Sequence, residues 1–310
     1  MNLPDFYFQT LGANSAVPTA DRFPSSFILS HKDKMCLIDC GEGAQIKMSE
    51  FHVKRKKIDH IFISHLHGDH IFGLPGLVNS FSLRGREKRL SITGPEGIKD
   101  YLNHTLEITK SHLPFEIVFR ELEGNNANDL GRINDFQVMA LPLIHRVPTY
   151  GYRFTEVIEG RNIDPKAIAK YEMGIPEIKG AKQGITIHRP GITIDIDEIT
   201  LPAKKPRSFA YCSDTIYNVD IVPAIRGVDL LYHEATYLHE SQLKAQKYMH
   251  STAQEAAEIA KKAGVGKLLI GHYSSRYKRL QLLEEEARST FENSQVALQG
   301  EIHTIDFTSS

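Results

Sequence analysis

The chain has 310 residues, of which 41% are hydrophobic and 24% are charged, and its formal net charge is −1. This composition is typical of a folded globular protein and excludes intrinsic disorder, while the balanced charge excludes nucleic-acid binding through overall positive charge. No run approaches the roughly 18 apolar residues of a membrane span, and the first residues lack a signal-peptide pattern, so we expect no membrane contact.

Short apolar runs of strand length alternate along the chain with segments of helical pattern. Interleaved strands and helices of this kind predict a layered α/β fold. The twelve predicted strands, bounded by Gly, Pro, Asn or Asp, cover residues 6–12, 26–30, 35–39, 60–64, 90–93, 115–119, 135–141, 150–154, 208–212, 229–233, 267–272 and 301–307.

Two predicted helices lie in the last quarter of the chain. Residues 252–263 have the clearest boundaries, because Thr252 can cap the helix, Glu255 can complete a capping box and Gly264 follows its end. Residues 282–291 form the other.

Three cysteines, Cys36, Cys40 and Cys212, are too few and too irregularly spaced for a disulfide framework. Cys36 and Cys212 lie within apolar runs, which predicts that both are buried in strands. Free thiols fit a reducing compartment, so we expect a cytoplasmic protein.

One segment, residues 153–190, lacks strong periodicity and holds seven basic residues against five acidic ones. Asp164 and Pro165 predict a short helix within it, with Asp as the cap and Pro at the first position. We interpret this segment as an excursion from a single domain that spans residues 1–310.

The strongest feature of the sequence is an apolar strand that leads directly into His-Leu-His-Gly-Asp-His at residues 65–70. His65 and His67 are two residues apart, so an extended backbone directs both to one side, and the following glycine allows the turn that brings Asp69 and His70 round. Four potential ligands in six residues favour a metal site over a chance polar loop. Imidazole with carboxylate suits zinc, with manganese or iron as alternatives.

Three more residues of ligand type follow predicted strands, namely His145, Asp214 and His272. Each would be weak evidence alone, because a single histidine at a strand end is often structural. With the four ligands of the first motif they make seven candidates, which is enough for two metal ions if one carboxylate bridges them.

The sequence resembles the metallo-β-lactamase superfamily and, within it, the ribonuclease Z family of tRNA 3′-processing endonucleases. The ligand candidates carry the first resemblance. The blocks GLPGL, HEAT, HST and SSRY carry the second, because hydrolases of lactams or thioesters do not share them as a set. The matching blocks, in order, are LGANSAVPTADRFPSS (11–26), LIDCGEGAQIKM (37–48), SHLHGDHIFGLPGL (64–77), YHEATY (232–237), HSTAQEAAEIAKKAG (250–264) and GHYSSRY (271–277).

This resemblance implies an αββα four-layer sandwich with a protruding, flexible arm, and all metal ligands on loops at one edge. It implies two Zn²⁺ ions per chain, bridged by Asp214, and a homodimer in which the arm of one subunit, residues 153–190, binds precursor tRNA that the other cleaves. The implied ligands are His65, His67 and His145 for one ion, and Asp69, His70 and His272 for the other.

Phosphodiester hydrolysis needs an activated water and relief of charge on the phosphoryl oxygens, and two metal ions about 3.5–4 Å apart supply both. We expect Asp69 to orient the water and accept its proton. We expect His250, oriented by Glu234, to protonate the leaving 3′-oxygen. The alternatives are that His250 is an ordinary polar residue before a helix cap and that Glu234 is a buried carboxylate bonded to backbone.

Substrate contacts are expected from residues near the ligands and in the arm. Ser274 and Arg276 directly follow a ligand, and Arg276 either binds a phosphate bidentately or ties down its own loop. Lys179 and Lys182 lie in the arm, where they either contact phosphates or belong to a solvated loop. Three basic runs are less specific. We interpret 54–57 as a solvated loop, whereas 84–89 and 204–207 are each either phosphate contacts or solvated surface.

The sequence therefore predicts a zinc-dependent endoribonuclease that removes the 3′ trailer from precursor tRNA and leaves a tRNA 3′-hydroxyl. One alternative is a superfamily hydrolase of small phosphodiesters or other small esters, which would not need the basic-leaning segment and the SSRY block. The other is a metal-bound RNA-binding protein without turnover, against which the full ligand set argues.

Overall fold

The computed structural model describes residues 3–124, 127–201 and 205–306. The chain forms two compact units, one within residues 1–155 and 207–310 and the other within 156–206. Within the described residues, no helix is both long and apolar enough to cross a membrane.

Sixteen strands lie in the described part of the chain. They are β1 (Phe6–Gly12), β2 (Ser26–His31), β3 (Lys34–Cys40), β4 (Ile58–Phe62), β5 (Leu90–Pro95), β6 (Ile117–Leu122), β7 (Asn128–Ile133), β8 (Phe136–Leu143), β9 (Thr149–Glu156), β10 (Ile187–Arg189), β11 (Ile192–Ile194), β12 (Ser208–Cys212), β13 (Leu230–Glu234), β14 (Lys267–Gly271), β15 (Ser294–Val296) and β16 (Ile302–Thr304).

Ten α-helices lie between these strands, again within the described ranges. They are α1 (Ala44–Glu50), α2 (Gly68–Ile71), α3 (Leu74–Leu83), α4 (Ile98–Ile108), α5 (Pro165–Lys170), α6 (Ile175–Lys182), α7 (Ile196–Ile199), α8 (Gln242–Tyr248), α9 (Ala253–Ala263) and α10 (Gln281–Thr290). Short 3-10 helices cover Arg55–Lys57, Val219–Ile221 and His239–Ser241.

The larger unit is built on two seven-stranded sheets. The first has the spatial order β16-β1-β2-β3-β4-β5-β6, and the second has the order β15-β14-β13-β12-β9-β8-β7. In each sheet four neighbouring strands run parallel, β3 to β6 in the first and β12 to β15 in the second. Parallel strands bring their carboxyl ends to one edge, and this arrangement positions the loops of the candidate site.

Alternating side chains explain the layers. In β1, Phe6 and Phe8 belong to the core that includes residues of both sheets, whereas Tyr7 and Leu11 belong to the core beneath helices α1, α3 and α4. Successive side chains of a strand point to opposite faces, so the first sheet is covered on both sides. The second sheet packs in the same way against α9 and α10, through residues such as Ile259. The predicted αββα sandwich is confirmed.

The sequence signals for α9 are confirmed in detail. The Thr252 side chain accepts a hydrogen bond from the backbone N–H of Glu255, and the Glu255 carboxylate accepts one from the backbone N–H of Thr252. Gly264 ends the helix at φ 62°, in the left-handed region that glycine adopts without strain. The helices predicted to start at Asp164 and to cover 282–291 are α5 and α10.

All twelve predicted strands are present, with ends that differ by up to three residues, although residue 307 lies outside the described residues. The prediction missed four strands, β7, β10, β11 and β15. Three of them have only three residues, and β7 carries the polar sequence NDLGRI at the edge of its sheet. None of the four buries a continuous apolar face, which is the signal that sequence reasoning uses.

The three cysteines are free and buried, as predicted for Cys36 and Cys212. Burial raises the pKa of the Cys36 and Cys212 thiols to about 12, so both remain protonated and unreactive near neutral pH.

The smaller unit has a core of its own. It contains α5, α6, α7 and the β10–β11 hairpin. Its buried residues are Ile163, Ala167, Met173, Ala181, Ile187, Ile194 and Ile199. The segment predicted as an arm, residues 153–190, starts inside β9 and ends just after β10.

Candidate active site

The candidate ligands follow strands of both sheets. Beyond β4, the chain carries His65 and His67 in a loop and then Asp69 and His70 in α2. The other three follow strands of the second sheet, with His145 after β8, Asp214 after β12 and His272 after β14. All seven predicted ligands come together. Within the described residues, their side chains and that of His250 form three groups that could hold a metal ion: His65, His67, His145 and Asp214; Asp69, His70 and His272; and Asp214, His250 and His272.

The first group consists of three imidazoles and one carboxylate. Nδ1 of His67 lies 3.0 Å from Nε2 of His65 and 3.3 Å from Nε2 of His145. Oδ2 of Asp214 lies 3.6 Å from Nε2 of His65 and 3.8 Å from Nε2 of His145. Burial lowers the pKa of all three histidines, which keeps their rings neutral, the state in which imidazole binds a metal.

The second group, Asp69, His70 and His272, lies next to Asp214 of the first. Oδ2 of Asp69 lies 3.3 Å from Nε2 of His272 and 3.6 Å from Nε2 of His70. Oδ1 of Asp214 lies 3.3 Å from Nε2 of His272 and 3.5 Å from Nε2 of His70. The two oxygens of the Asp214 carboxylate therefore face different groups, which is the geometry of a bridging ligand.

Two observations show that the residues fit cations. Nε2 of His70 and Oδ1 of Asp214 are buried and, within the described residues, have no hydrogen-bond partner. Burial disfavours a charged His70, but the carboxylates of Asp69, Asp39 and Asp214 outweigh it and raise the pKa of His70 to about 10. This excess of negative charge in a buried cluster would be neutralised by bound metal.

Asp39 lies behind the candidate ligand His70, and the sequence analysis did not single it out. Its buried carboxylate accepts hydrogen bonds from the backbone N–H of Ser64 at 2.7 Å, the Ser64 hydroxyl at 2.8 Å and the Tyr211 hydroxyl at 2.6 Å. Oδ2 of Asp39 also lies 2.8 Å from Nδ1 of His70. This pairing directs the other ring nitrogen of His70 towards the second group, as outer carboxylates do in metal sites.

Two other candidate ligands, His145 and His272, have similar neighbours. Nδ1 of His145 lies 2.9 Å from the carbonyl oxygen of Met249, and Nδ1 of His272 lies 2.9 Å from Oγ1 of Thr236. Asp39, Met249 and His272 all have φ between 54° and 60°. Left-handed backbone is costly for residues other than glycine, so three such positions around one cluster mark a site that the surrounding fold constrains.

Replacing Asp39 with asparagine should weaken metal binding without destroying the fold. Asparagine tolerates the left-handed backbone and keeps the shape, but its amide is a poor partner for Nδ1 of His70. We expect metal affinity to fall by about 10–100-fold, measured by competition with a chelator. Asp33→Asn, at an exposed carboxylate, is the control. Equal affinities in the two variants would mean that Asp39 does not support the ligand.

Glu234 and His250 form a pair beside the ligands. Nδ1 of His250 lies 2.9 Å from Oε1 of Glu234 and 3.9 Å from Oδ2 of Asp214. Burial opposes the charged imidazole, but the Glu234 carboxylate, with help from Asp214 and Asp69, raises the pKa of His250 to about 9. The adjacent Glu234 carboxylate therefore favours the protonated form of His250.

The fully buried Glu234 carboxylate also holds the surrounding backbone. It accepts hydrogen bonds from the backbone N–H groups of Thr215, Thr236 and Ser251 at 2.9–3.1 Å and from the Thr236 hydroxyl at 2.8 Å. These segments follow β12, follow β13 and precede α9. Both interpretations of Glu234, a partner of His250 and a buried carboxylate bonded to backbone, describe its contacts.

An open cleft of about 580 Å³ leads to the cluster. Its walls include Phe72, Tyr237 and Tyr248 as well as His250 and several ligands. The exposed Arg276 lies over the Tyr237 ring, with its Cζ atom 5.3 Å from the ring centroid, so it lies next to a wall of this cleft.

The other predicted substrate contacts lie in different surroundings. The backbone N–H of Ser274 donates to the carbonyl oxygen of Thr236 at 3.2 Å, which ties its loop to the residue that orients His272. Lys179 and Lys182 lie in α6 of the smaller unit, and both are exposed.

Comparison with known proteins identifies the class and then the family. The crystal structure of the short form of human tRNase Z has a TM-score of 0.73 at 26% identity and covers 97% of this chain and 99% of that chain. The metallo-β-lactamase fold protein YhfI from Bacillus subtilis has a TM-score of 0.69 at 20% identity, covering 96% and 99%. The chain thus has the metallo-β-lactamase fold.

Curated relatives are more similar in sequence. Ribonuclease Z of Porphyromonas gingivalis is 42% identical over 287 residues, which are 92% of this chain and 94% of that protein. Ribonuclease Z of Bacteroides thetaiotaomicron is 37% identical over 302 residues, which are 97% and 96%. This chain belongs to the ribonuclease Z family. A family model described as "Anti-Pycsar protein Apyc1" also matches residues 6–149.

Proposed function

We propose that this protein is a metal-dependent endoribonuclease that removes the 3′ trailer of precursor tRNA and leaves a tRNA 3′-hydroxyl. The observation that carries the proposal is the placement of one carboxylate, Asp214, between two ligand groups. Membership of the ribonuclease Z family supports the choice of precursor tRNA over a small phosphodiester.

The ligand set favours two divalent ions per chain. Three imidazoles with Asp214 would hold one ion. Asp69, His70 and His272, with the other oxygen of Asp214 near the last two, would hold the second. A set of five imidazoles and two carboxylates suits Zn²⁺, and Mn²⁺ is compatible with it. When bound, two such ions stabilise charge on the phosphoryl oxygens and lower the pKa of the attacking water.

Asp69 is assigned two roles, as ligand and as acceptor of the proton of the attacking water. Its Oδ2 atom accepts a hydrogen bond from the backbone N–H of Ala16 at 2.8 Å, which fixes the carboxylate at the cleft. As the new bond between the water oxygen and phosphorus forms, Asp69 takes up the proton that the water loses.

His250 is assigned the role of general acid. The bond between phosphorus and the ribose 3′-oxygen breaks as the new bond forms, and the leaving oxygen needs a proton. The imidazole of His250 lines the cleft and is held protonated by Glu234, so it can donate that proton. Glu234 acts through His250 and is a positioning residue.

The direct test is incubation of the purified protein with a pre-tRNA that carries a 3′ trailer, followed by mapping of the cut. We expect one cut that releases the trailer with a 5′-phosphate, loss of cleavage after chelation and its return when zinc or manganese is added. If the protein hydrolyses a nitrophenyl phosphodiester but leaves the pre-tRNA uncut, the small-molecule alternative is favoured instead.

Residues 153–190 are proposed as the tRNA-binding arm. Two of its arginines already form ion pairs. Nη1 of Arg161 lies 2.5 Å from Oδ1 of Asp197, and Nη2 of Arg189 lies 2.7 Å from Oε2 of Glu177. Lys179 and Lys182 are exposed and, within the described residues, form no ion pair. Their charges are therefore available to phosphates, and such contacts position a nucleic acid without reading its sequence.

Replacing Lys179 and Lys182 together with glutamine should weaken pre-tRNA binding and flatten its salt dependence. Each lost phosphate contact is expected to reduce the slope of log K against log salt by about 0.9. The measurement is pre-tRNA affinity at several salt concentrations. Lys99→Gln with Lys261→Gln, two exposed sites in the larger unit, is the control. The same slope in both variants would exclude these lysines from the contact.

The family resemblance also suggests a cytoplasmic homodimer in which the arm of one subunit serves the cleft of the other. Sedimentation at micromolar concentration is expected to give twice the chain mass of 35.0 kDa. A monomer with full pre-tRNA cleavage would contradict the dimeric arrangement.

A further inference from the structure

A basic groove lies in the larger unit, away from the candidate active site. Two basic runs that are far apart in sequence form it, Lys54–Lys57 before β4 and Arg84–Lys88 between α3 and β5. Strands β4 and β5 are parallel neighbours, so the segments that precede them lie side by side. The groove has a volume of about 1010 Å³, and apolar side chains such as Met48, Val53 and Phe81 line it as well.

Some of its cations are structural. The Arg86 guanidinium donates to the backbone carbonyls of Ile58, Lys88 and Arg89 at 2.6–2.9 Å and lies over the Phe81 ring. It therefore holds the groove together.

Others are neutralised by acids. Lys57 pairs with Asp33 at 2.5 Å, and Lys88 pairs with Asp59 at 2.7 Å. The positive charges of these two lysines are therefore largely neutralised within the protein.

The remaining cations have no such partner. Lys54, Lys56 and Arg84 are exposed and, in the described ranges, form no ion pair. Arg55 is half-buried and, among the described residues, donates to neutral groups of Gln45 and Ser49.

The groove therefore carries an excess of positive charge. Seven Lys and Arg side chains line it with one acid, Glu87, so that after Asp33 and Asp59 are counted four positive charges remain. The whole chain has a net charge of −1, and this local excess is not part of a general basic surface. A concave surface with free cations at its rim fits an extended polyanion.

The groove lies at the opposite end of β4 from the metal ligands. Lys57 directly precedes the strand, and His65 follows its far end. A strand of this length separates the two ends by on the order of 20 Å. Phosphates in the groove are therefore distant from the bond that is cleaved.

We propose that this groove binds the phosphate backbone of precursor tRNA at a distance from the cleavage point. The proposal rests on the proposed function, which brings a polyanion longer than this separation to the protein. The groove contributes to binding and takes no part in the chemical step, because its cations do not reach the reacting phosphate.

The test is the triple variant Lys54→Gln, Lys56→Gln and Arg84→Gln in the full chain. We expect KM for pre-tRNA to rise about 10–100-fold with kcat unchanged, and the salt slope of binding to fall by about 2–3. Hydrolysis of a nitrophenyl phosphodiester should stay at the parental rate. Thermal unfolding checks that the variant is folded, which is expected since all three side chains are exposed.

A control with the same loss of charge separates a local effect from a general one. Lys99→Gln, Lys110→Gln and Lys261→Gln are exposed sites outside the groove. Equal KM and salt slope in the two triple variants would overturn the proposal. If the parental protein binds pre-tRNA but does not cut it, the proposed function fails, whereas the binding comparison still decides the role of the groove.

Discussion

Replacing His250 with alanine is expected to lower kcat for pre-tRNA cleavage by a factor of about 10²–10⁴ while metal content and pre-tRNA affinity stay at parental values. The proposed general acid is lost, so the 3′-oxygen must leave without a proton from the protein. The measurement combines single-turnover cleavage, metal analysis and equilibrium binding.

A second substrate separates a catalytic role of His250 from a structural one. Nitrophenolate is a good leaving group that needs no proton, so the loss should be much smaller on a nitrophenyl phosphodiester. His104→Ala, at an exposed position of α4, is the control and should behave as the parent. An equal loss on both substrates would assign His250 a structural role.

The Asp214→Ala variant is expected to lose metal and activity together. The two oxygens of this carboxylate face different groups of histidines. Its removal therefore takes one oxygen donor, and its negative charge, from both groups at once. We expect close to two equivalents of zinc in the parental protein, fewer than one in the variant and cleavage at background.

Asp220→Ala, at an exposed carboxylate six residues further on, is the matched control and should keep its metal. A parental protein that is fully active with one equivalent of metal would contradict the bridging role. So would an Asp214→Ala variant that keeps two.

Much of the fold could be predicted because most strands of the two seven-stranded sheets carry a short apolar run bounded by turn residues. In β1 to β3, successive large apolar side chains belong alternately to two cores. This two-residue repeat is typical of a strand and distinguishes these segments from helices. The site could be predicted for a related reason. The run from His65 to His70 places four candidate ligands within six residues, and this spacing alone indicates a metal site.

What the sequence did not indicate depends on tertiary contacts. Asp39 and Thr236 support His70 and His272, yet each is an ordinary polar residue in its own segment, and nothing nearby in sequence shows its partner. The signal that could have found Asp39 is its position at the end of an apolar strand, within the matching block at 37–48. The basic runs show the same limit, because only the pairing of β4 with β5 makes one groove of them.

Because the candidate ligands follow strands of both sheets, the site can form only late in synthesis of the chain. The first sheet carries four of them after β4, and the second carries His145, Asp214 and His272. A nascent chain can complete the group with His65, His67 and His145 only after Asp214 behind β12 has been made, and the group with Asp69 and His70 only after His272 behind β14. The full set of seven candidate ligands therefore forms only when most of the chain has been synthesised and both sheets have packed. Metal at a free concentration of about 1,000 times its Kd would increase the free energy of unfolding by about 4 kcal/mol. Because the full ligand set exists only in the folded protein, the metal content of a preparation measures the fraction of correctly folded molecules.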